Sequence, residues 1–148
     1  MTESESPAAI TVALRDMLGE EASILQREYE ELYEWMLTDG RNPRRKKGIK
    51  RSTAENYIPR LDQLHRFIIQ YFNPDDPIRI TDEHADEVLR LIDRGEITQQ
   101  HGANKGEEYG ESSKRKFANA LEMHFKWLYH EKEAIESVPH KASSIESV

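Results

Sequence analysis

The chain has no cysteine, which excludes disulfide staples, thiolate nucleophiles and cysteine-held zinc. It has no apolar stretch near the roughly 20 residues that a membrane helix needs. Met1 to Pro7 is acidic and polar, unlike the basic-then-apolar pattern of a secretory signal, so no membrane partner is expected and the cytoplasm is the expected location. Glycine is sparse, seven residues in 148, and none forms a phosphate-cradling loop between a strand and a helix. No serine has a nucleophile's context. The histidines lack ligand spacing: His65, His84 and His101 are scattered, and the position four beyond His124 is Leu128, so His124 reads as a satisfied core histidine. Asp75-Asp76 and Asp82-Glu83 read as turn and cap residues rather than a catalytic pair. The expectation is a protein without cofactor, metal or small-molecule substrate, and not an enzyme.

What the chain has in quantity is charge, unevenly placed. The net charge of −7 argues against nucleic acid until it is divided along the sequence. Arg41, Arg44, Arg45, Lys46, Lys47, Lys50 and Arg51 fall in eleven residues that contain no acid, which leaves 14 cations against 28 carboxylates elsewhere. An acidic body with one basic patch concentrates its attraction for a polyanion at that patch. The acid-rich composition is also that of a salt-adapted protein, and in strong salt phosphate contacts weaken steeply.

Apolar spacing of three and four residues marks helices throughout. Residues 1–8 offer nothing to bury and read as a disordered lead. Ile10, Leu14, Met17 and Leu18 form a short helical stripe broken at Gly19. A helix from Glu20 to Leu37 buries Leu25, Tyr29, Leu32 and Met36, with Trp35 at its border, and ends at Asp39-Gly40 with the glycine in a left-handed cap. The basic segment is a loop with nothing in it to neutralise its charge. Ser52 and Glu55 have capping-box spacing, opening a helix to Phe72 that should kink at Pro59. Asn73 to Pro77 is a stop and turn, Ile78 to Ile80 is extended, and Thr81 caps a helix burying Ala85, Val88, Leu89 and Ile92. Glu96 to Gly110 reads as a long flexible loop with little to bury. Ser112 or Ser113 caps the last helix, whose core stripe is Phe117, Leu121, His124, Phe125 and Leu128, flanked by Trp127 and Tyr129. The aromatics Tyr57, Tyr71, Phe117, Phe125, Trp35 and Trp127 read as core residues rather than base-stacking platforms. Residues 1–19 are an N-terminal extension, 20–131 a helical domain and 132–148 a tail or linker.

Lys114, Arg115 and Lys116 occupy the first turn of the last helix, where positive charge opposes the macrodipole. A fold tolerates this more readily when the charges serve something outside it. With the basic loop they make two cationic helix starts that could face one groove of a duplex.

Ser52-Thr53-Ala54-Glu55-Asn56-Tyr57 with Leu61, Leu64 and Phe67, followed by Ser112-Ser113-Lys114-Arg115, Ala120-Leu121 and Phe125-Lys126-Trp127-Leu128, resembles the N-terminal core-binding domain of tyrosine recombinases of the phage-integrase family, in a haloarchaeal or haloviral form. The resemblance covers about Glu20 to His130. It implies an all-α, SAM-like bundle of four to five helices that clamps double-stranded DNA with a catalytic domain, other recombinase protomers being further partners. It implies DNA contacts for Ser52, Thr53 and Asn56 at one helix start and for Ser113, Lys114, Arg115 and Asn119 at the other. The residues' own pattern adds the loop cations, Arg60, Lys105 and Lys116. Two departures stand out: the family's catalytic arginine, lysine, histidine and tyrosine set has no counterpart here, and the 95–110 loop looks longer. The chain should therefore bind DNA without cutting it. The rival readings are a helical protein-interaction module and a small helix-turn-helix regulator, the latter disfavoured by long loops between helices.

Overall fold

A computed structural model of the protein describes residues 6–100 and 102–132. Expectations for residues 1–5, His101 and the tail from 133 onward lie outside the described residues. The fold is all-α: α1 is Val12–Leu18, α2 Ala22–Asp39, α3 Arg51–Phe72, α4 Asp82–Asp93 and α5 Glu111–Trp127, and a π-helical turn, Leu128–Lys132, prolongs α5. Among the described residues there is no strand, only one isolated bridge between Asn42 and Lys47. No helix is long and apolar enough to cross a membrane, again among the described residues.

The long amphipathic α3 is the hub, packing against each of the other four helices. It buries Ala54, Ile58, Leu61, Leu64, Phe67 and Ile68, the three-and-four spacing expected of it. Pro59 lies inside the helix without ending it. Asn73 closes it in the left-handed region, its N–H donating to Ile69 O. Thr81 Oγ1 accepts from His84 N–H, the cap expected of α4, with Asp82 and Glu83 in the favourable first turn.

Several expectations needed correction. Ala8 and Ile10 are buried with Leu14 and Leu18, so the chain enters the core from residue 8, while Met17 is exposed. Gly40 sits in the right-handed region at φ −61° and is not a left-handed cap. Trp35 and Trp127 are core residues as expected, whereas Tyr71, also expected in the core, is exposed and Leu89 is only half-buried. Ile78–Ile80 is a turn and bend rather than extended chain, with Ile78 and Ile80 buried. The 96–110 loop is anchored at both ends by buried Ile97 and Tyr109. Its backbone closes on itself through Gln99 N–H to Glu107 O and Gly106 N–H to Gln99 O. Tyr109 stacks edge-on against Phe67 and Phe117 and accepts from Gln63 Nε2.

Two polar clusters lie inside the bundle. Asp62, 1% exposed, accepts from Thr11 N–H at 2.7 Å, Thr11 Oγ1–H at 2.9 Å and Arg66 Nε–H at 2.8 Å, which ties the N-cap of α1 to the middle of α3. His65 Nε2–H donates to the Ile78 carbonyl, so its Nδ1 accepts the Tyr29 hydroxyl at 2.6 Å. His124 packs against His65, Phe125 and Trp127. It is a core histidine but not a satisfied one: neither ring nitrogen has a hydrogen-bond partner.

Candidate nucleic-acid interface

The basic segment is an ordered hairpin. Arg41 N–H and Asn42 N–H both donate to Lys47 O, and Lys47 N–H donates back to Asn42 O. Between them Pro43–Arg45 makes one 3₁₀ turn, with Asn42 Oδ1 accepting from Arg45 N–H. Asn before Pro at the first helical position is a start signal of general physics, legible in Asn42-Pro43 but not drawn from it. Lys46 takes the left-handed region at φ 57°. The hairpin lies flat on the end of α2. Ile49 N–H donates to Met36 O, and a Cβ on Gly48 would stand 1.7 Å from Leu37 O, so only glycine fits there.

The cations of this hairpin divide. Lys46 reaches Asp39 at 3.1 Å, and this contact, after the Thr38 hydrogen bond, holds the Asp39 carboxyl below the ordinary range. Arg44 lines a small cleft with Trp35, Asp39, His130 and Glu131. So the loop is not without a neutralising group: Asp39 of α2 pairs with Lys46. Arg41, Arg45 and Lys47 are exposed and line a different concavity. Lys50 is exposed at the N-cap of α3. Arg51 begins that helix with Lys50 as its N-cap, two residues earlier than a Ser52 cap implies, so Ser52 makes no capping bond, and Glu55 accepts from Tyr33 O–H instead of reaching back. Arg51 Nη1–H donates to the same hydroxyl, binding the first turn of α3 to α2. Ser52 and Asn56 are exposed and Thr53 is half-buried.

Neither Ser112 nor Ser113 caps α5, which starts at Glu111 after Gly110 with no side-chain cap. Lys114 is committed inside the fold. Its Nζ donates to Asp93 O at 3.3 Å and pairs with Asp93 at 3.4 Å and Glu111 at 3.6 Å. A cation at the carbonyl end of α4 complements that helix's dipole, so the charge that opposes α5 serves α4. Arg115, Lys116 and Asn119 are exposed, Ser113 is half-buried, and Lys105 is exposed on the 96–110 loop.

Helices α3 and α5 run in opposite senses. Burial and then Glu122 raise the pKa of Tyr57, Arg60 places its guanidinium 5.5 Å from the centre of the Phe117 ring, and Gln63 meets Tyr109. Lys126 Nζ–H donates to Gly40 O and Arg41 O, fixing the hairpin's base to the far end of α5. The two cationic clusters are thus toward opposite ends of α5, along which Lys116 and Lys126 are separated by about 15 Å of helical rise. Arg60 joins the cluster at the start of α5 from the α3 side, its guanidinium lying over Phe117, the residue after Lys116. Glu30, Glu31, Glu34 and Glu131 with Arg27 and Trp35 surround an open groove of about 780 Å³ along α2 that reaches Asp39 and Lys46 at the hairpin and Trp127 at the end of α5. No protein-family model, curated protein or solved structure matches this chain.

Proposed function

We propose that the protein binds double-stranded DNA along the α3/α5 line, chiefly through phosphates, as the core-binding domain of a tyrosine recombinase does, and lacks strand-cleaving chemistry of its own. The observation that carries this reading is the two groups of exposed or half-buried cations at either end of α5: Arg41, Arg45 and Lys47 on the hairpin, and Arg60, Arg115 and Lys116 at the start of α5. The rise of about 15 Å along α5 that separates the two ends is of the order of the roughly 12 Å width of a major groove, and in this reading each end meets one phosphate row. The carboxylates of the α2 groove, which adjoins the hairpin at Asp39 and Lys46, repel a polyanion from that groove. Lys114 is left out of the contact set because its charge is used within the fold.

A mobility shift on a duplex across a salt series tests this. Arg45→Gln/Lys47→Gln and Arg115→Gln/Lys116→Gln should each lower the slope of log affinity against log salt by about 2, at roughly 0.9 per phosphate contact. Lys114→Gln should lower the melting temperature and leave that slope alone. Equal slopes for wild type and both paired variants would remove the reading. The α2 groove, with its carboxylates beside Trp35, favours the rival, a protein-docking module, which predicts no shift on any duplex.

A further inference from the structure

Among the described residues, the Asn42–Lys47 hairpin contains a concavity of about 410 Å³ lined by Arg41, Asn42, Arg45 and Lys47. Among the described residues no carboxylate is in that lining and none pairs with any of its three cations. The two remaining hairpin cations, Arg44 and Lys46, face acids on the other side. The site is also built in advance. The bridge between Asn42 and Lys47 holds its two walls together. The Arg45 N–H occupies Asn42 Oδ1, so the amide that remains for a ligand is the NH₂, a neutral donor. Gly48 seats the hairpin on Leu37 so closely that it cannot lift without breaking the Ile49 bond to Met36. A fixed hairpin backbone leaves only side-chain freedom to be lost on binding, whereas lysines on a floppy tail lose backbone freedom as well.

We infer that this hairpin is a preformed receptor for a single phosphate group. Two guanidiniums and an ammonium supply charge, the guanidiniums supply forked donors suited to phosphate oxygens, and Asn42 adds a neutral donor. The cavity has room for a phosphate and the groups esterified to it. This deepens the duplex reading and rests on it for the phosphate's source, a backbone phosphodiester. Free inorganic phosphate offers the same chemistry, and the test separates the two sources.

The probe is sodium phosphate added to the ¹⁵N-labelled full chain, against sodium chloride at equal ionic strength, with amide shifts read by NMR. Phosphate should shift the Arg41–Gly48 amides saturably, at concentrations at least tenfold below those at which chloride does so. Arg45→Gln/Lys47→Gln should lose the response while keeping the wild-type melting temperature, since both side chains are exposed. Gly48→Ala keeps every cation but displaces the hairpin, and should lose most of the response with the remaining spectrum intact. Phosphate that also competes a duplex off the protein assigns the site to a backbone phosphate. Saturable phosphate binding in a protein that no duplex shifts would support the receptor, assign it to the free anion and overturn the DNA reading. Equal responses to phosphate and chloride would overturn the receptor, and retained duplex binding in that case would leave the DNA reading standing.

Discussion

Asp62→Ala should lower the unfolding free energy by about 3–5 kcal/mol, the usual consequence of leaving a buried charge without its partner. Asp62 is 1% exposed and accepts three hydrogen bonds, two from Thr11 and one from Arg66. Truncation would strand Arg66, only 19% exposed, beside a cavity. It would also free the Thr11 hydroxyl, whose oxygen accepts the Leu14 N–H at the start of α1. The melting temperature should fall by roughly 10 °C, at about 2–4 °C per kcal/mol for a chain of this size. Asp62→Asn keeps the shape and one acceptor and should cost less. Thr11→Ala alone should cost about 1 kcal/mol as a lost cap, and much of that cost should vanish in the Asp62→Ala background because the two share one network. Urea unfolding of the four proteins measures this cycle. A loss below about 1 kcal/mol for Asp62→Ala would mean that α1 is held by its apolar face alone.

That network shows where the sequence was legible and where it was not. The apolar stripes of α2, α3, α4 and α5 follow helical spacing, and their buried faces match it closely: Leu25, Tyr29, Leu32 and Met36 on α2, Phe117, Leu121 and Phe125 on α5. Periodicity reports which face is buried but not what a polar residue on that face will meet. Asp62 falls one place after Leu61 and its partner Thr11 is 51 residues away, a distance that no local pattern spans. The capping expectations at Ser52 and Ser113 failed for a related reason. Both serines have the right type and spacing, but α3 begins at Arg51, which hydrogen-bonds Tyr33, and α5 begins at Glu111, ahead of Lys114's pairing with Asp93. Tertiary partners overrode local propensity.

The candidate interface divides in the same way. A run of seven cations in eleven residues was visible as a patch, but its sorting into Arg41, Arg45 and Lys47 on one side and Arg44 and Lys46 on the other required the turn to be seen. Lys114, Arg115 and Lys116 look equivalent in sequence. On a helix, three consecutive residues point about 100° apart, so one of them must turn toward α4, and Lys114 does. The 96–110 loop was misread because its two anchors, Ile97 and Tyr109, are isolated apolar residues among polar ones and carry no period.

Stability should fall steeply below pH 6.5, and His124 should account for about one proton of that dependence. His124 is fully enclosed, and burial first, then the neighbouring His65 and Arg79, push its pKa from 6.5 down to about 3. His65 is lowered as well, chiefly by burial, although its bond to the Ile78 carbonyl works the other way. Above pH 6.5 both imidazoles are neutral in the folded and the unfolded chain, and their contribution is complete. Below it the unfolded chain takes up protons that the folded chain refuses, so the balance tips toward unfolding by up to about 1.4 kcal/mol per pH unit for each histidine. For His124 the loss continues until the pH nears 3; over the two units from 6.5 to 4.5 it reaches about 3 kcal/mol, a large share of the 5–15 kcal/mol that holds a typical domain. His124→Leu removes the titrating group and the two unpartnered ring nitrogens together, so the variant should be at least as stable as wild type at pH 5 even if lost ring contacts with Trp127 cost it something at pH 7. Urea unfolding at half-unit steps from pH 7.5 to 4.5 reads the difference directly. Parallel curves for wild type and His124→Leu would show that His124 takes up its proton in the folded protein, through an opening of the core at the α5 end that admits water to the ring.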